Sequence, residues 1–347
     1  MHKHHHTKVD GRDLFLYSEQ PREYPITNDL EPLDSPPAPH KRWHPLRQEW
    51  VLYNAARNKR TLNPPPEYNP LGPVAPDGFP GEIPTPDFEI AVFENRWPGL
   101  HESAPGRNGL EIDAPGARGR CEVVVYGTSI EQKLTDLSDE RVAMLVKVWA
   151  DRHADLCARE GIKFVLPFES RGAFVGVTLP HPHGQIYAFD FVPPIIQRQV
   201  EAEREHGVLA ELIAGGGSKA LRVDENDSAW SLVPAFSRYP FETWILPKRQ
   251  VASPGQLTAD ELLDFARILK QTVGRLDGLF DSTMPFCMWV SLPPKGAEEI
   301  WPFHIQFMPM QRTANSMKYL ASVEQISQIF LSDVLPEDAA EKLRAAG

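Results

Sequence analysis

Two histidines split by one proline, His181-Pro182-His183, run into Gly184-Gln185-Ile186-Tyr187, and this stretch has the residue types best suited to chemistry. Side chains two apart just ahead of a strand point the same way. An imidazole is a competent nucleophile at neutral pH because a large share of it is unprotonated. It can attack an α-phosphorus and leave again, which divides one hard substitution into two easier ones. Its second ring nitrogen must then be held as N–H by an acceptor, and the backbone carbonyl of His181 is the natural candidate. Around the ring, Gly184 lets a phosphate approach closely, Gln185 adds a neutral donor, Gly172 and Gly176 flank the preceding turn, and Thr178 offers a hydroxyl. A turn whose histidines only satisfy backbone groups would explain a lone His-Pro-His; the added glycines and donors favour a phosphate cradle.

The elements that must position this motif follow from periodicity and punctuation. Strands are predicted at 14–17, 50–53, 89–93, 120–126, 163–168 and 185–191. Between the fourth and fifth, Ser138, Asp139 and Glu140 cap a helix whose apolar face is Val142, Leu145, Val146 and Trp149, ending near Gly161. The order recurs: strands at 230–234 and 243–246, a helix over 257–280 opened by Thr258 and Asp260, strands at 287–292 and 303–308, and a closing helix over 314–330. Arg96-Trp97-Pro98 is echoed by Arg238-Tyr239-Pro240, and His183-Gly184-Gln185 by His304-Ile305-Gln306. A duplication with a Gly/Pro-rich insertion at 100–118 in the first copy accounts for the unequal offsets. The implied organisation is a tail with a short strand (1–40), a first half carrying the motif (41–195), a connecting segment (196–228) and a second half (229–347).

Composition narrows the functions. The 347 residues carry a net charge of −11 with no basic block, which argues against a general nucleic-acid binder. No run approaches a membrane span. Cys121, Cys157 and Cys287 suggest no disulfide framework, and a cytoplasmic setting is expected. The first ten residues, with His2, His4, His5 and His6, read as a disordered tail rather than a metal site, and lack the apolar core of a secretion signal. Thirty-four prolines, clustered at 32–39, 64–86 and 193–194, read as irregular connections that cannot be helical.

The stretch from Phe168-Glu169-Ser170-Arg171-Gly172 through His181-Pro182-His183-Gly184-Gln185 resembles the active-site region of galactose-1-phosphate uridylyltransferases, within the histidine-triad superfamily, and the similarity runs from about Arg42 to Arg344. The resemblance implies an α+β fold in which two fused histidine-triad-like halves form one largely antiparallel sheet with helices packed on it. It implies a homodimer and a ping-pong exchange of UMP between UDP-glucose and galactose 1-phosphate. A related nucleotidyltransferase or phosphorylase using an adenylyl donor or another sugar 1-phosphate is the alternative. His183 would be the nucleophile, with His181 and Gln185 beside it. Gln185, in place of the third histidine of the hydrolase branch, donates a hydrogen bond but no titrating proton, which favours transfer over hydrolysis. Substrate contacts would come from Arg57, Arg60, Asn95, Ser170, Gly176 and Thr178, and from Lys318, Tyr319 and Glu324, which would reach the hexose of a neighbouring subunit. Ser170 stands where such proteins usually have Asn, and is shorter.

The resemblance also implies two metal sites whose ligands are largely replaced. A Cys-x-x-Cys pair falls on Asn69 and Gly72, and a strand histidine near Ile130, so only His181 is left of a tetrahedral zinc set. At the second site Gln199, Glu201, Glu203, Ser291 and Gln306 leave His304 alone clearly placed. No cofactor is therefore expected, and His304 reads as a core or interface histidine.

Overall fold

The computed structural model describes every residue except 34, 36, 61–63, 66, 67 and 281. Pro36 and part of the loop expected over 62–87 thus lie outside the described residues. The elements are β1 His2–Thr7, β2 Asp13–Ser18, β3 His40–His44, β4 Glu49–Tyr53, β5 Ile90–Glu94, β6 Gly119–Val125, α1 Asp139–Ala158, β7 Phe164–Arg171 and β8 His183–Phe189. They continue with α2 Pro194–His206, α3 Val208–Gly215, β9 Arg222–Glu225, β10 Ala229–Leu232, β11 Thr243–Pro247, α4 Ala259–Gly278, β12 Phe286–Ser291, β13 His304–Pro309, β14 Gln311–Thr313, β15 Ser316–Met317, α5 Ser322–Ser327 and α6 Pro336–Ala345.

Two units are distinguished: Met1–Gln132 with Asp151–Pro167 and Thr178–Glu201, and Lys133–Ala150 with Phe168–Val177 and Ala202–Gly347. In the first the strand order is β1-β2-β5-β6-β8-β7; in the second it is β7-β12-β13-β11-β10-β9. Pairing is antiparallel from β1 through β8 and from β7 through β9 at every step whose register is defined. This is the α+β sheet that the sequence implies. Each half repeats one plan. The chain lays down two strands, a 20-residue helix and two more strands, in the spatial order first-second-fourth-third: β5-β6-β8-β7 and β10-β11-β13-β12.

Local chemistry fixes these elements. Thr258 caps α4 by accepting from Glu261 N while Glu261 accepts from Thr258 N, a reciprocal pair that satisfies two orphan donors. The helix then buries Leu262, Phe265, Ile268, Leu269, Val273 and Leu276. In the first unit one core cluster joins Leu14 and Leu16 of β2, Phe93 of β5 and Val123 and Val125 of β6 to Leu71, Ile83 and Phe88 of the proline-rich loop. That loop is held by charge as well as packing. Lys8, whose side chain is fully buried, donates to Glu82 O at 2.7 Å and pairs with Asp29 at 2.8 Å, and Arg12 pairs with Glu82 at 2.8 Å.

Three expectations are corrected. The histidine-rich start is not a disordered tail: it forms β1, paired residue for residue with β2 from His2↔Ser18 to Thr7↔Asp13. Pro194 does not exclude a helix but opens α2, where the first turn needs no N–H and proline's φ is already helical. The closing helix over 314–330 is replaced by the β14–β15 hairpin and the short α5, which Gln328 ends at φ 61°. The cause is a buried clip. Lys318 Nζ donates to Glu324 and to Leu331 O (2.7 Å), while Glu324 accepts from Ala321 N (2.7 Å) and Leu331 N (3.1 Å), so the chain turns around one ion pair. The closing helix is α6, begun by Pro336.

Candidate functional site

β8 carries the motif as its first residues. Its burial alternates: His183, Gln185 and Tyr187 lie on the half-exposed face, Gly184, Ile186 and Ala188 on the buried one. Antiparallel pairing with β6 sets Val125, Val123 and Cys121 opposite those three. The face is thus defined by strand period alone.

His183 Nδ1 donates to the carbonyl of His181 at 2.7 Å, the anchor that the spacing predicts. A carbonyl only accepts, so Nδ1 carries the hydrogen and Nε2 keeps its lone pair. Burial pushes the pKa of His183 below the ordinary 6.5, against the smaller raising effect of the His181 carbonyl, so the ring is neutral at physiological pH. Among the described residues Nε2 has no hydrogen-bond partner in the protein. His181 is 1% exposed; its Nε2 donates to Gly127 O at 2.7 Å and its Nδ1 lies 2.8 Å from the side-chain nitrogen of Asn69.

Arg57 is brought to this strand. The 3₁₀ turn Ala55–Lys59 is capped by Asn54, which accepts from Ala56 N and donates to Pro98 O at 2.7 Å. Arg57 Nη1 donates to Trp97 O at 2.8 Å, and its guanidinium meets the Tyr187 hydroxyl, which also touches the Cys121 thiol. Tyr187 and Cys121 are supports that sequence reasoning passed over, although the alternation on β8 placed Tyr187 beside Gln185. Arg60 is exposed at the end of the same turn. Asn95 closes a turn, with Oδ1 accepting from Trp97 N at 2.8 Å.

The other expected residues are placed as follows. Thr178 is half-buried in the first unit; Ser170 and Gly176 belong to the second. Ser170 lies opposite Cys287 on β12, hydroxyl against thiol. Gly176 ends a 3₁₀ turn at φ 79° and Gly172 precedes it at φ 97°, left-handed conformations that require glycine. Tyr319 is 65% exposed, whereas Lys318 and Glu324 are buried in the clip described above.

The residues at the two implied metal positions do not fit a metal. Asn69 and Gly72 supply no thiolate, and Ile130 lies in a turn. Ser291 accepts from Trp301 Nε1 (3.0 Å), Gln306 donates to His304 (2.9 Å), and Glu203 caps α3 by accepting from Leu209 N (2.8 Å) and Ala210 N (3.1 Å). Glu201 is exposed. Among the described residues no cluster of three or more His, Cys, Asp or Glu could hold a metal ion.

Two family profiles match the chain. The N-terminal domain of galactose-1-phosphate uridyl transferase matches residues 28–193, and its C-terminal domain matches residues 217–346. The chain belongs to this family. Among curated relatives, the galactose-1-phosphate uridylyltransferase of Thermotoga maritima is 35% identical over 87% of this chain and 97% of its own length. That of Rattus norvegicus is 30% identical over 88% and 87%. A solved uridylyltransferase superposes with a TM-score of 0.77 at 25% identity, covering 88% of this chain and 98% of that one. An ADP-glucose phosphorylase from Arabidopsis thaliana, at 20% identity and a TM-score of 0.67 over 88% and 98%, shares the fold. As a family member the chain is a nucleotidyltransferase. No described helix is long and apolar enough to cross a membrane.

Proposed function

We propose that the chain exchanges UMP between UDP-glucose and galactose 1-phosphate through a covalent uridylyl group on His183. The observation that carries this reading is the anchored ring: Nδ1–H is committed to His181 O, and Nε2, on the half-buried face of β8, has no protein hydrogen-bond partner among the described residues. The Nε2 lone pair attacks the α-phosphorus of UDP-glucose. A P–N bond forms, the P–O bond to glucose 1-phosphate breaks, and that phosphate leaves with the electron pair. A phosphate oxygen of galactose 1-phosphate then attacks the same phosphorus and His183 is released neutral. Arg57 and Arg60 neutralise phosphate charge, and Gln185 and Thr178 donate to phosphoryl oxygens as charge builds. Because Gln185 cannot deliver a proton, the intermediate waits for a sugar phosphate rather than water.

Partial exchange tests this. Labelled glucose 1-phosphate should enter UDP-glucose with no galactose 1-phosphate present, since the first half-reaction stands alone. Exchange that requires both sugars would overturn the covalent route, and labelling from ADP-glucose in preference to UDP-glucose would move the donor to an adenylyl nucleotide.

We also infer a homodimer in a cytoplasmic setting. Tyr319, Val323, Ile326, Ile329 and Leu331 expose an apolar stretch that a second copy would cover, and the cysteines are free thiols. Sedimentation of the full chain should give twice the monomer mass; a monomer at micromolar concentration contradicts it.

A further inference from the structure

We propose that the Asn69 side chain is a positioning residue for His183: its amide fixes the tautomer and tilt of the His181 ring, and with them the carbonyl that aims the nucleophile. The inference rests on the reading of His183 as nucleophile and turns on what occupies the place of a zinc set. Gly127 O can only accept, so His181 Nε2 carries the hydrogen and Nδ1 is bare. Only a donor can then face Nδ1. Asn69 Oδ1 is already committed to Leu71 N at 3.1 Å, which turns the amide nitrogen toward His181 at 2.8 Å. Each role is forced by its neighbour, and a ring that is 1% exposed keeps no unpaired nitrogen.

The clip is tied to the core at one end and to the nucleophile at the other. Leu71, 2% exposed, packs into the first unit's hydrophobic cluster and holds the turn that Asn69 opens, where Gly72 N donates to Asn69 O at 3.3 Å. A Cβ at Gly72 would come within 3.1 Å of the Asn69 amide nitrogen, so a larger residue there would crowd the donor. From His181 the main chain passes directly to the carbonyl that accepts from His183 Nδ1. The Asn69–Gly72 turn thus does by hydrogen bonds what a metal clip does by coordination: it presses a turn against a buried histidine and orients it. One remaining ligand, His181, is too few for zinc, and both of its nitrogens are engaged.

The test uses the full chain with ¹⁵N-labelled histidine, its Asn69→Asp and Asn69→Ala variants, and UDP-glucose as the donor. The unaltered protein should show a bare Nδ1 and a protonated Nε2 on His181, and should still take up the uridylyl group after dialysis against EDTA. Asn69→Asp preserves size but replaces the donor with an acceptor. It should put a proton on Nδ1 and slow uridylyl uptake roughly tenfold to a hundredfold, as loss of an orienting outer partner does, with UDP-glucose affinity changed less than about twofold. Asn69→Ala should slow uptake while leaving Nδ1 unprotonated. A protonated Nδ1 in the unaltered protein, unchanged spectra and rates in Asn69→Asp, or one equivalent of zinc whose removal stops uptake, would each overturn the clip. If the unaltered protein takes up no uridylyl group, the nucleotidyl reading fails, and the nitrogen spectrum still decides whether Asn69 sets the His181 tautomer.

Discussion

His183 and His304 are the same device in two halves with opposite fates. Each is the first residue of the fourth strand of its repeat, each has a glutamine two residues on, and each anchors Nδ1 to the carbonyl two residues back, at 2.7 Å for His181 O and 2.9 Å for Pro302 O. The difference lies beyond Nε2. At His183 that nitrogen is unclaimed among the described residues and the residue is only half-buried. His304 is fully buried, Gln306 donates to its Nε2 at 2.9 Å, and Trp244, Trp289 and Trp301 lie 5.5, 6.1 and 5.8 Å from it, centroid to centroid. Backbone geometry alone therefore does not tell the two imidazoles apart; what faces Nε2 does.

The largest expected effect breaks the symmetry outright. His183→Gly should lower hexose-1-phosphate exchange by roughly 10⁴-fold or more while UDP-glucose still binds, whereas His304→Phe should leave exchange within about threefold. Steady-state rates beside ligand titrations of both variants check this. Comparable losses in the two would mean that the second half takes part in chemistry.

Acid should next separate the two rings. Burial holds the pKa of His304 at about 4 against an unfolded value near 6.5. Between these values the unfolded chain binds the extra proton, so stability falls as pH drops through the window, by about 3 kcal/mol in all. Urea unfolding at several pH values should show this slope in the unaltered protein and a shallower one in His304→Phe. The pKa of His183 is also lowered by burial, so its rate of uridylyl uptake should fall in acid at a lower pH than an exposed imidazole would give. The smallest effect belongs to the glutamine. Gln306→Leu leaves His304 Nε2 unpaired in the core and should cost about 1–3 kcal/mol in unfolding free energy with no change in exchange rate.

Much of this was legible in the sequence because strand and helix periods were clean. The capped α4, the alternating β8 and the repeat of His-x-Gln were each set by local residues, and the Nδ1 anchor of His183 followed from the two-residue spacing. What stayed hidden depended on partners far along the chain. The polar start of β1 reads as a tail until β2 is there to pair with it. Lys318 and Glu324 read as substrate contacts on a closing helix until Leu331 folds back to complete their buried clip. Asn69 reads as a lost ligand, because nothing local says that its amide faces a ring 112 residues away.

The account stands most directly on where a nucleotide becomes bonded. Peptide mass mapping of the full chain after brief exposure to UDP-glucose should find one uridylyl group, on the peptide containing His183, and none on the peptide containing His304. An unmodified protein that nevertheless turns over substrate, or a uridylyl group on any other side chain, would contradict it.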